Sequence, residues 1–141
     1  MLNGLKLAVA VLVGLLCGSV VNMGIVNLGP MLIPLPAGAD MTTVEGVAAA
    51  MPHLAPKHFL APFLAHALGT LVGALLAALI ASTRRAVVAY AVGVFFLAGG
   101  IAASTMIPAP TWFIALDLVA AYIPMAWIGL RVAEALKPRA S

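Results

Sequence analysis

The chain has 141 residues, of which 65% are hydrophobic and only 8% are charged, and its formal net charge is +3. A soluble domain has roughly half apolar and a quarter charged residues, so a small soluble fold is excluded and a lipid bilayer is the expected solvent. The basic residues form no cluster with aromatic ones, so nucleic acid is not an expected partner. A single cysteine, Cys17, excludes an internal disulfide.

The first predicted span covers about residues 7–28 and follows Lys6. It is longer than the apolar core of a secretory signal, which has about 7 to 15 residues, and we interpret it as a membrane-spanning helix. It is expected to end at Gly29 and Pro30. Small and polar residues recur along it at or near fourth-residue spacing, namely Gly14, Gly18, Asn22 and Asn27.

Residues 30–57 form a long connection between the first and second spans. A capping box with Thr42 as N-cap and Glu45 at the third helical position predicts a short helix, which Pro52 stops after Met51. The connection is too apolar to float in water. It is therefore expected to cover the outer face of the helices as a lid.

The other predicted spans are residues 59–82, 86–107 and 111–136. Each is long enough to cross about 30 Å of hydrocarbon, which takes roughly 20 helical residues. Pro124 lacks the N–H that would bond to the carbonyl of Ala120, so the fourth span should bend there. The sequence thus predicts a single-domain, all-α integral membrane protein, an antiparallel bundle of four helices with a short extra helix in the outer loop.

The basic residues give this bundle an orientation. Lys57 falls on the side of the long connection. The others fall on the side of both termini and of the turn between the second and third spans: Lys6, Arg84, Arg85, Arg131, Lys137 and Arg139. The positive-inside rule places that side in the cytoplasm. A multi-pass protein of a bacterial inner membrane with cytoplasmic termini is expected.

A row of small residues follows one face of the second span at every fourth position. Its members are Ala61, Ala65, Gly69, Gly73, Ala77 and Ala81. Such rows allow the backbones of two helices to approach closely. We expect the row to pack against a neighbouring helix of the same chain, with a homo-oligomer face as the alternative.

Polar residues from separate spans are expected at one depth of the outer membrane half. Asn22, His66 and Asp117 lie about 9 to 12 Å below the outer ends of their helices. The predicted ligand-binding residues are Asn22, Asn27, Glu45, His58, His66, Ser104 and Asp117. Single Asn, Ser and Thr residues in spans often serve only as interhelical hydrogen-bonding groups.

Asp117 and His66 carry the strongest functional signal. An ionisable side chain in a span costs about 2.5 to 3.5 kcal/mol on insertion and marks function by default. The two residues are expected to pair, and they would be the catalytic residues if the protein is an enzyme. His58, His66 and Asp117 are the candidate ligands for a zinc ion, but no metal motif is present, so no cofactor is the first expectation.

The segments NMGIVNLGP from Asn22, PKHFLAPFLAHALGT from Pro56 and DLVAAYIPM from Asp117 resemble a group of small uncharacterised four-span membrane proteins of bacteria. The resemblance covers most of the chain. It implies the four-span topology and the inner-membrane location. It carries no activity, ligand or functional residue.

Three functions are compatible with these patterns. The first is a binding or accessory module whose outer pocket takes a lipid or other amphipathic molecule. The second is an intramembrane hydrolase in which Asp117 orients His66 as general base or metal ligand, with Ser104 as a conceivable nucleophile. The third is a small oligomeric transporter. The sequence does not decide whether the protein is an enzyme.

Overall fold

The computed structural model describes residues 2–137, and within them the chain forms helices and connections without any strand. The helices are α1 (Leu2–Leu32), α2 (Val44–Ala50), α3 (Leu60–Ile80), α4 (Arg85–Met106), α5 (Thr111–Ala120) and α6 (Ile123–Leu136). Four stretches are long and apolar enough to span a membrane, Asn3–Leu32, Pro56–Ile80, Arg85–Met106 and Thr111–Leu136. The all-helical class and the four candidate spans are thus confirmed. Arg139 lies outside the described residues.

The helix α3 occupies the centre and packs against α1, α4 and α6. Its contact with α1 is built on reciprocal glycines. A Cβ atom added to Gly14 would lie 2.5 Å from the carbonyl oxygen of Gly73, and one added to Gly18 would lie 2.6 Å from that of Gly69. Only glycine permits this approach of the two backbones. As the residue number rises from Gly14 to Gly18 on α1, that of the contacted residue falls from Gly73 to Gly69 on α3.

The predicted row of small residues on α3 is therefore used within the chain. Ala65, Gly69, Gly73 and Ala77 are buried, and the two glycines face α1. The prediction of an internal packing face is confirmed for these positions. A second copy of the chain cannot use the same glycines while α1 covers them.

Small side chains also bring α6 against its neighbours. Gly129 lies beside the backbone of Leu71 and Leu75, and Gly93 of α4 lies beside Ala126. The main core consists of the buried residues Ala10, Ala74, Ala77, Ala78, Ala81, Val88, Ala89, Val92, Ala126, Leu130 and Ala133. On α4 the buried residues run from Arg85 to Gly93 and then stop. The helices are thus packed tightly at the end opposite the long connection.

The helix α1 is longer than the predicted run of residues 7–28, because it continues through Pro30 to Leu32. A proline removes the bond to the carbonyl four residues earlier, but here only half a turn follows it. Gly29 is buried against Ala61 of α3. This packing supports the last turn of α1 beyond the point where the sequence predicts its end.

The fourth span is interrupted, as Pro124 predicts. The helix α5 ends at Ala120, α6 begins at Ile123, and Pro124 lies in the first turn of α6. Tyr122 lies in the break with φ −117° and ψ −78°. The interruption places Asp117 in α5 and the remainder of the span in α6.

The predicted short helix is present as α2, but its cap lies one residue later than expected. The Thr43 hydroxyl, and not that of Thr42, accepts the bond from the Gly46 N–H at 3.0 Å. Thr42 instead donates its backbone N–H and its hydroxyl to Asp40, at 2.8 and 2.6 Å. The Thr42 hydroxyl is thus directed to Asp40, whereas the Thr43 hydroxyl, which donates to Asp40 at 3.2 Å, also accepts from Gly46.

Candidate ligand site

A cavity of about 300 Å³ lies at the end of the helices that carries the connection between α1 and α3. Parts of α1, α3, α4 and α5 form its walls, and the connection covers it. The connection residues that line it are Ile33, Leu35, Met41, Val47, Met51, Leu54, His58 and Phe59. Most of the wall is apolar, and the polar side chains His66, Ser104 and Asp117 face into it from three different helices. The connection thus lies over the helix ends, as its composition predicts.

His66 and Asp117 meet on the cavity wall. The Nδ1 atom of His66 lies 2.8 Å from Oδ1 of Asp117, although the residues are 51 positions apart. The carboxylate is nearly buried, with 7% of its side chain exposed, whereas 28% of the imidazole is exposed. The parallel course of α3 and α5 from the covered end sets this pairing. The predicted pair is present.

Tyr122 completes this arrangement. Its hydroxyl donates to Oδ2 of Asp117 at 2.8 Å, and its ring stacks on that of His66 with centroids 5.8 Å apart. Nothing in the sequence around Tyr122 marks it as a functional residue. In a regular helix a residue five positions after Asp117 points about 140° away from it. The break before Pro124 turns Tyr122 back towards the carboxylate. Pro124 is therefore the residue from which this contact could have been predicted.

The hydrogen bonds fix the roles of the ring nitrogens. Asp117 accepts with both oxygens, from Tyr122 on one and from His66 on the other. The Nδ1 atom of His66 is therefore its donor. In the neutral imidazole this leaves a lone pair on Nε2, for which the described residues provide no hydrogen-bond donor. An imidazole held in this way can accept a proton or a hydrogen bond from a bound molecule.

His58 lines the cavity but already has partners for both ring nitrogens. Its Nδ1 lies 2.9 Å from the backbone nitrogen of Ala55 and 3.1 Å from the Ala55 carbonyl oxygen, and its Nε2 lies 3.1 Å from the carbonyl oxygen of Pro34. Because a carbonyl oxygen only accepts, Nε2 is the donor to Pro34. His58 ties the start of the connection to the approach to α3, which is a structural role.

The other predicted site residues have different positions. Ser104 lines the cavity, but its hydroxyl donates to the carbonyl of Ile101 at 2.7 Å. Asn27 is exposed and donates to the carbonyl of Met23. Asn22 packs beside Gly69, and Glu45 is exposed on α2. None of Asn22, Asn27 and Glu45 lines the cavity.

The candidate zinc ligands do not converge. Within residues 2–137 no three His, Cys, Asp or Glu side chains come together in a group that could hold a metal ion. A catalytic zinc needs three protein ligands. His66 and Asp117 provide two groups that are bonded to each other, and His58 is bonded to the backbone.

Asp40 holds the cover of the cavity in shape. Its carboxylate accepts from the Thr42 hydroxyl and amide and, at 3.2 Å, from the Thr43 hydroxyl. The bond from the Thr42 hydroxyl, followed by that from its amide, lowers the pKa of Asp40 below its ordinary value. Met41, which directly follows Asp40, lines the cavity.

No protein-family model, no curated protein and no solved structure matches the chain. The geometry of the cavity is therefore the basis for a functional assignment.

Proposed function

We propose that the chain is a multi-pass protein of the bacterial inner membrane that binds a lipid or another amphipathic small molecule in the cavity. In this proposal the four spans cross the bilayer as an antiparallel bundle with both termini in the cytoplasm. The cavity then lies in the outer half of the membrane. Four apolar helices and the distribution of basic residues support this arrangement.

The observation that carries the proposal is the pairing of His66 with Asp117 on the wall of an otherwise apolar cavity. Ligand sites are typically apolar pockets with a few convergent polar groups. Here the apolar walls would take the body of the ligand. The free face of His66 would bind its polar head, while Asp117 and Tyr122 hold the imidazole in place.

The packing of α4 supports access of a ligand to the cavity from the bilayer. Its contacts with α1 involve Val92 and Phe96, which lie beside Gly14 and Gly18. Closer to the covered end, α1 and α4 both contribute residues to the cavity wall. In that part of α4, which follows Phe96, no residue is buried. A chain-like ligand could therefore enter sideways between α1 and α4.

Native mass spectrometry of the protein released from mild detergent tests the proposal. We expect a discrete small-molecule or lipid mass on the wild type and on Asn27→Ala, which alters an exposed polar residue outside the cavity. The mass should be lost in His66→Ala. Ligand-free wild type, or equal retention by His66→Ala, would contradict the proposal.

A hydrolase that uses the same residues is the second candidate. The bond from His66 Nδ1 to Asp117 is the orientation that a general base requires, with Nε2 turned to the reacting group. Because the Ser104 hydroxyl donates to Ile101, water is the better nucleophile. Loss of ligand turnover in both His66→Ala and Asp117→Asn would favour this function over binding alone.

A further inference from the structure

The cavity wall carries one carboxylate and no lysine or arginine among its described residues. Among its described lining residues the titratable ones are His58, His66 and Asp117. Both ring nitrogens of His58 lie within bonding distance of the backbone of Ala55 and Pro34. With both histidines neutral, the carboxylate of Asp117 leaves one negative charge in an apolar environment. Such a charge is costly unless it is compensated.

Three kinds of polar head can be compared at Nε2 of His66. A carboxylate or phosphate head would add a second negative charge beside Asp117, at low dielectric. An alcohol would donate to Nε2 and leave the charge unchanged. A protonated amine would donate to Nε2 and bring the site to zero net charge, through the imidazole that links it to Asp117.

We propose that the cavity binds a cationic amphiphile, a protonated primary, secondary or tertiary amine on an apolar body, whose N–H donates to Nε2 of His66. The inference rests on the proposed function of the cavity and names the class of its ligand. Phe113 lines the same cavity and presents an aromatic ring. Aromatic rings attract cations when water is excluded.

Proton and ligand compete in this complex. A second proton on His66 occupies Nε2 and gives the ring a positive charge, so the amine loses both its acceptor and its electrostatic partner. The groups that face His66 are Asp117 from α5 and Tyr122 from the break, with His58 elsewhere on the wall. The described lining residues of α1 and α4 include no titratable side chain. Protonation of His66 should therefore weaken the binding of an amine.

The test compares dodecylamine, dodecanol and dodecanoic acid as probes that share one apolar chain. Their binding to the full-length protein in detergent is titrated by native mass spectrometry at about pH 8 and about pH 5.5. We expect the amine to bind most tightly at the higher pH and to weaken at the lower. The alcohol should change little, and the acid should bind weakest at the higher pH.

Asp117→Asn keeps the shape of the carboxylate and removes its charge. It should weaken the amine about 30-fold, the factor that corresponds to removing one partner of a buried charge pair, and should leave dodecanol within about threefold. Glu45→Gln, which removes an exposed acid outside the cavity, is the control and should change neither.

Tighter binding of dodecanoic acid than of dodecylamine to the wild type at the higher pH would overturn the inference. The proposed binding of an amphiphile in the cavity would then remain valid. An amine affinity that Asp117→Asn does not change would overturn the inference in the same way. If none of the three probes binds, the proposed function fails together with the inference. The pH series on the wild type remains decisive if Asp117→Asn does not fold.

Discussion

Nδ1 of His66 and Oδ1 of Asp117 lie 2.8 Å apart, and the pair joins α3 to α5 on the wall of the cavity. The carboxylate is almost completely buried and the imidazole is partly accessible. The acid is thus the fixed part of the pair, and the histidine is the part that a ligand can reach.

Tyr122→Phe should destabilise the protein by about 1 to 3 kcal/mol, because it leaves Oδ2 of the buried Asp117 without its donor. Tyr90→Phe is the matched control, since the hydroxyl of the half-buried Tyr90 makes no hydrogen bond with the described residues. The free energies of unfolding of both variants in mixed micelles provide the measurement. Equal stability of the two would mean that the Tyr122 hydroxyl bond contributes nothing.

Gly14→Ala should lose about 1 to 3 kcal/mol of stability, because its new methyl group meets the carbonyl oxygen of Gly73. Gly24 lies on the same helix with no atom within 4 Å of an added Cβ. Gly24→Ala should therefore be neutral, or stabilise α1 by up to about 1 kcal/mol through helix propensity. Thermal unfolding of the two variants compares them directly, and a tolerant Gly14 would contradict the packing of α1 on α3.

Thr70→Val should leave stability unchanged or raise it. Thr70 is 1% exposed, and its hydroxyl oxygen has no hydrogen-bond partner within residues 2–137. Replacing a buried, unpaired hydroxyl with a methyl group removes a desolvation cost of about 1 to 3 kcal/mol. A clear loss in the midpoint of thermal unfolding would show that the hydroxyl has a partner, such as an ordered water.

Acid should loosen the cover of the cavity at Asp40. The folded pKa of Asp40 is below its ordinary value of 3.8, so its stabilising contribution is fully present above that pH. It is lost as the pH falls through the lower, folded value. The chemical shift of the Thr42 amide proton should report this transition.

Asp40→Ala is the control for that titration. It should show the acid-form shift of the Thr42 amide at all pH values, because Asp40 is the acceptor of that N–H. A Thr42 signal that titrates in the same way in Asp40→Ala would assign the transition to another group.

The sequence predicts most of the fold because the spans are long and their small residues are periodic. It also predicts the meeting of His66 with Asp117, since both lie the same distance from the covered end of helices that run in one direction. Individual hydrogen bonds were harder to foresee. Tyr122 bonds to Asp117 only because α5 ends before Pro124. His58 bonds to the backbone of Ala55 and Pro34, which its position in the sequence does not indicate.

Asn22 shows the limit of reasoning from depth alone. Its distance from the end of its helix predicts a site shared with His66 and Asp117, but the rotation of each helix decides which side chains face the cavity. The rotation of α1 is set by Gly14 and Gly18 against α3, and it directs Val26, Gly29 and Pro30 to the cavity instead. Such packing involves contacts distant in sequence, which a single chain pattern does not specify.

Filling the cavity tests most directly whether it holds a ligand. Ala103 lines the cavity from α4, whereas the adjacent Ala102 is exposed and does not. Native mass spectrometry of Ala103→Phe and Ala102→Phe, purified side by side, should show the bound mass of the wild type on Ala102→Phe and its absence from Ala103→Phe. Equal retention of that mass by both variants would contradict the assignment of the cavity as the ligand site.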